Sequence, residues 1–130
     1  MKRRRDPQSG SVSLEAVLLV SVLVLTLMAI VQTALFAHAS GLAEAAAREG
    51  TRTARLTGDP GAGRQRAAEF LAAHGAKVVL DPVVDASATG GVASVRVSGR
   101  AVSLLPLFVL PIAASSSGPV EVFTPAGAVR

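Results

Sequence analysis

The chain has no cysteine, no tryptophan and no tyrosine, and phenylalanine, at four residues in 130, is its only aromatic. Without thiols it has no thiolate nucleophile, no cysteine-ligated metal and no disulfide staple, so an exported domain of this size must be held by packing alone. Histidine is almost as scarce. His38 and His74 stand far apart, outside any H-x-x-x-H or H-E-x-x-H spacing, so no metal site is expected. No serine sits in a G-x-S-x-G elbow, and the glycines near residue 60 lack the spacing of a phosphate loop and a strand to feed it. Asp59, Asp81 and Asp85 flank turn signals, where aspartate is ordinary loop chemistry. The reading is therefore of a non-enzyme with no cofactor.

A charge excess is missing too, once its position is considered. The net charge of +4 includes +3 from residues 1–10, where Lys2, Arg3, Arg4 and Arg5 outweigh Asp6. The basic balance belongs to the first few residues. It argues for membrane topology and against nucleic-acid binding.

What the chain does have is one long apolar run. Between Leu14 and Ala37 only Glu15, Ser21, Thr26, Gln32 and Thr33 are not apolar, which exceeds the roughly 20 residues that a helix needs to cross a bilayer. Lys2 to Arg5 before the run, set against Glu44, Arg48 and Glu49 after it, favour a cytoplasmic N-terminus and an extracytoplasmic C-terminal part. Glu15 is the anomaly. An ionised carboxylate costs up to roughly 2.5 to 3.5 kcal/mol at the centre of a bilayer and less near its edge. It sits either at headgroup depth, where a first-turn acid suits the helix dipole, or opposite a counter-charge.

The order of these features, a basic leader, Gly10, then Ser11-Val12-Ser13-Leu14-Glu15 and an unbroken apolar helix, resembles the class III signal of type IV pilins and pseudopilins. Within that group Gly10-Ser11-Val12-Ser13-Leu14-Glu15-Ala16-Val17-Leu18-Leu19-Val20, followed later by Ala43-Glu44-Ala45-Ala46-Ala47-Arg48-Glu49-Gly50, is most similar to the TadE-like family, small pseudopilins of tight adherence (Flp-type) pili. The resemblance implies that a prepilin peptidase cuts after Gly10, that Ser11 becomes the mature N-terminus, and that Glu15 then meets the free ammonium of a neighbouring subunit. Its implied partners are that peptidase, other pilin subunits contacting the N-terminal helix, a pilus assembly ATPase, inner-membrane platform proteins and membrane lipid. Ala16 stands where many Flp-type signals carry a tyrosine. The sequence after the helix is also longer than a major Flp pilin keeps, which points to a minor or priming subunit.

An alternative cut lies at the other end of the run, where Ala37-His38-Ala39 forms an A-x-A-like site before Ser40; the run is longer than the about 7 to 15 residues of a secretory h-region. A chain cut there would be a secreted binding module, and an uncut chain a single-pass anchored accessory of a secretion system.

Past the run, helix is expected to continue to about Leu56, with small-residue stripes at Ala39, Ala43, Ala47 and at Ala46, Gly50, Ala54 that would let another backbone approach. Residues 57–63 are rich in turn formers. Residues 64–74 place Ala67, Phe70, Leu71 and His74 on one face of a short helix ended by Gly75. The period then changes. Strands are expected over 77–84, interrupted by or edged at Pro82, and over 92–102, where Ala93, Val95 and Val97 alternate with polar residues and Gly99 marks a bulge. Residues 85–91 read as a polar turn, 104–112 as a turn with a buried or partner-facing apolar segment broken by Pro106 and Pro111, 115–118 as a loop, 119–124 as a last strand and 125–130 as a frayed tail. The expected fold is α+β and pilin-like: a leader over 1–10, a long helix over 11–56 with its transmembrane part at about 14–37, and a small exterior domain over 57–130 with a short helix and an antiparallel sheet of about three to four strands.

Overall fold

A computed structural model describes residues 8–105 and 107–121, with side chains described from residue 12 onward. Lys2 to Arg5, Pro106 and the expected strand and tail beyond residue 121 lie outside the described residues. The elements run α1 (Gln8–Thr57), α2 (Pro60–His74), β1 (Val79–Thr89), β2 (Val92–Ala101) and β3 (Leu110–Pro119). This is the α+β, pilin-like layout expected from the sequence, with three antiparallel strands in the order β1-β2-β3. By internal packing the chain divides into two units, Met1–Ala34 and Leu35–Arg130.

The described part of the first unit is helix. Its large apolar side chains from Val12 to Ile30 are exposed, apart from half-buried Met28, and α1 is the one described helix long and apolar enough to cross a membrane, with a mean hydropathy of 2.7 over its most apolar window. The hydroxyls in the apolar run fold back on their own helix. Ser21 donates to the Val17 carbonyl, Thr26 to Val22 and Thr33 to Ala29, each at 2.8 Å. Each i−4 bond satisfies a donor that would otherwise be costly in lipid.

In the second unit the remainder of α1 and all of α2 pack on one face of the sheet. Ala39, Ala43, Ala46 and Ala47 of α1, Ala67 and Leu71 of α2, and Val79, Val95, Val97, Ala101 and Ile112 of the sheet form one buried cluster. Its largest fully buried side chains are only the valines Val79, Val95 and Val97. A core of such small residues gains its burial by close backbone approach, and each fully buried valine is worth about 1.5 to 3 kcal/mol. The opposite face of the sheet carries Asp85, Ser87, Arg96, Ser115 and Ser117, all exposed, as suits an antiparallel sheet covered on one side.

Both small-residue stripes turn inward to this core. The backbone they admit is α2 of the same chain: a Cβ built on Gly50 would lie 2.6 Å from the Gly63 carbonyl oxygen, and one built on Gly63 would lie 2.7 Å from that of Gly50. The helices cross antiparallel there, and Arg66 reaches back to Glu49 at 3.1 Å. The end of α1 is fastened to β3. Buried Thr51 donates to the Ser116 carbonyl at 3.0 Å, Arg55 Nε to that of Pro119 at 2.8 Å, and the Glu121 amide to that of Arg55 at 3.2 Å.

Several local expectations change. The break after α1 is short, because Asp59 caps α2 by accepting from the Gly61 amide and Pro60 occupies a first-turn position that needs no N–H. His74 is exposed and stacks on Phe70, so the buried face is Gly63, Ala67 and Leu71. Residues 85–89, expected to turn, continue β1. The hairpin needs only Gly90 and Gly91, whose φ of 60° and 76° match a two-residue primed turn. The bulge lies in β1, where Asp81 and Pro82 oppose Gly99 of β2; a Cβ on Gly99 would come within 3.0 Å of the Leu80 carbonyl oxygen. Residues 115–118, read as a loop, belong to β3, and their ladder to β2 overrides the turn preference of serine and glycine. Pro119 ends that strand and does not begin another.

Candidate processing and assembly segment

Gly10, Ser11 and Glu15 all lie on the helical path of α1, which begins at Gln8. At 3.6 residues per turn, positions 11 and 15 share a face about 6 Å apart along the axis. Glu15 is exposed, set among the exposed apolar side chains of Val12, Leu14, Val17, Leu18 and Leu19. Among the described residues it has neither an ion pair nor a hydrogen bond through its side chain. Among the described residues the ion pairs, Glu44 with Arg48, Glu49 and Glu69 with Arg66, Asp81 with Arg100, and Arg55 with Glu121, all belong to the second unit.

That isolation defines what the segment can do. A carboxylate in an apolar helical surface is stabilised by a cation brought to it, and its affinity for one rises as water is excluded. In the full helix Glu15 lies beyond the first turn, which holds no acid. A helix beginning at Ser11 would put Glu15 close to the positive end of the backbone dipole. The Gly10–Ser11 bond is itself within α1, next to glycine, the weakest helix former after proline at about 1 kcal/mol below alanine.

The other residues singled out by sequence stay apart from this segment. His74 lies at the end of α2 with Nδ1 3.1 Å from the Phe70 carbonyl oxygen, His38 is exposed on α1, and no cluster of three metal-ligating side chains occurs among the described residues. Ala39, before the alternative cleavage bond, is fully buried in the core. Reading the sequence alone misses the Gly50–Gly63 contact and the Thr51 clasp. The spacing of Gly50 signals a close approach, but nothing in sequence identifies Gly63 as its partner.

A family model described as TadE-like protein matches residues 10–52. Comparison with curated proteins and with solved structures gives no match. The matched segment begins at Gly10, includes Glu15 and the whole apolar run, and ends one residue past Thr51. The similarity to the TadE-like family covers that third of the chain and takes in both expected motifs, Gly10 to Val20 and Ala43 to Gly50.

Proposed function

We propose that this protein is a minor pilin, or pseudopilin, of a tight adherence type IV-like pilus, cut by a prepilin peptidase after Gly10 and contributing to pilus assembly or initiation and to adhesion. The observation that carries this reading is the family match starting at Gly10, near the start of α1 and ahead of an exposed apolar run whose one acid, Glu15, has no partner among the described residues. Lys2 to Arg5 hold the leader in the cytoplasm, where the peptidase acts, and the second unit lies outside. Cleavage creates an ammonium at Ser11. When helices bundle with axial stagger, that ammonium reaches Glu15 of a neighbouring subunit; each charge is costly alone in lipid and tolerable as a pair. The pair fixes the register of assembly. The pilus ATPase and inner-membrane platform proteins supply the work of extrusion.

Full burial of Ala39 within α1 supports this reading over export by cleavage before Ser40, since that cut would sever the helix inside the packed core. The test is the mass of the protein isolated from cells expressing the pilus system. A chain beginning at Ser11 is expected; Ser40 or Met1 at the N-terminus would replace the pilin reading with a secreted module or an anchored accessory.

A further inference from the structure

The connection between β2 and β3 is strongly apolar and uncovered. Leu107 is 91% exposed, and Leu104, Phe108 and Val109 are each at least half exposed, although contiguous exposed apolar patches are uncommon on isolated soluble domains. Its described residues are tied by two hydrogen bonds: Ser103 Oγ donates to the Leu105 carbonyl at 2.9 Å, and the Phe108 amide donates to the same carbonyl at 3.1 Å.

Its position in the second unit follows from the clasp between α1 and β3. Thr51 meets Ser116 and Arg55 meets Pro119, so helix and strand run side by side in the same direction. Leu110 starts β3 six residues before Ser116, which is about 20 Å at strand rise. The same distance back along α1 is about 13 residues, reaching the neighbourhood of His38. Packing agrees, because Leu110 lies against the cluster that contains Ala39. The β2–β3 connection therefore occupies the end of the unit at which α1 enters, level with Leu35, Phe36 and Ala37, the last residues of the apolar run. Lys77, just before β1, and Arg100, near the end of β2, stand at this same end, with Asp81 paired to Arg100. An apolar tip with cations behind it, level with the end of a membrane span, fits the boundary between acyl chains and phospholipid headgroups.

We propose that Leu104, Leu107, Phe108 and Val109 dip into the outer bilayer interface beside α1, giving the second unit a further hold on the membrane before extrusion. This rests on the reading that α1 spans the bilayer. The hold is reversible, because it consists of a few side chains and no covalent lipid.

The absence of cysteine allows single labelled positions in the full chain. We would place an environment-sensitive fluorophore on Phe108→Cys, on Ala88→Cys near the opposite hairpin tip, and on Val24→Cys in the span, each in phosphatidylglycerol-containing nanodiscs holding one copy. Position 108 is expected to be quenched several-fold more by headgroup-proximal spin-labelled lipid than position 88 and to be protected from aqueous iodide. Adding Leu104→Ser, Leu107→Ser and Val109→Ser should abolish that difference without lowering helicity. Equal iodide quenching at 108 and 88 would overturn the proposal, as would protection at 108 that appears only with two copies per disc. Loss of lipid quenching at position 24 would instead show that the membrane-span reading itself had failed.

Discussion

Gly50 of α1 and Gly63 of α2 touch backbone to backbone, each occupying space in which the other's Cβ would stand: the built Cβ positions fall 2.6 and 2.7 Å from the opposing carbonyl oxygens. Neither carbonyl can swing aside without breaking its own helix.

Gly50→Ala and Gly63→Ala should therefore each destabilise the second unit by about 1 to 3 kcal/mol, as overpacking does, despite the better helix propensity of alanine. Gly41→Ala is the matched control. Nothing lies within 4 Å of a Cβ at Gly41, so that change should be neutral or stabilising by up to about 1 kcal/mol. Thermal unfolding of the full chain in detergent measures all three, and an equal response would show that the helices cross elsewhere.

Thr51→Val removes the hydroxyl that donates to Ser116 while keeping the side chain's shape. We expect a loss of about 1 kcal/mol, the usual net worth of a hydrogen bond in a packed site. Hydrogen exchange should report the change first along β3 and the last turns of α1. Unchanged protection there would mean that Arg55 holds the strand by itself.

At the hairpin, Gly91→Ala places a Cβ at a φ of 76° and should cost about 1 to 2 kcal/mol. Gly90→Asn should be milder, because asparagine tolerates the left-handed region that a primed turn needs. Denaturant midpoints of the two variants, compared side by side, should fall in that order.

Glu15→Ala should leave the protein inserted and folded, since no described residue depends on that carboxylate, but it should enter filaments poorly. Counting the variant in sheared pili against its amount in membranes separates assembly from stability. Normal incorporation would remove the charge-pairing argument.

The long helix was readable from composition alone, because few arrangements of residues 14–37 other than a helix satisfy so apolar a backbone in lipid. The strand alternation of Ala93, Val95 and Val97 was equally plain, and all three are buried. What could not be read was set by contacts distant in sequence. Residues 115–118 carry the composition of a loop and become strand because Arg96 and Ser94 of β2 pair with Ser115 and Ser117. Asp85 and Ser87 are turn-forming residue types, and it is their pairing opposite Arg96 and Ser94 on the open face of the sheet that makes them strand. For the candidate segment, the motif from Gly10 to Glu15 was visible as spacing. The unpartnered state of Glu15 among the described residues needed the structure.

The hydroxyls of Ser21, Thr26 and Thr33 are already committed to carbonyls of their own helix. A neighbouring span would thus meet hardly any free hydroxyl along this stretch, and mostly aliphatic contours of alanine, valine and leucine. In the proposed filament, recognition between copies or relatives would then be coarse in its grip and sharp at one point: sideways fit tolerant of many apolar partners, axial position set near the tip by Glu15.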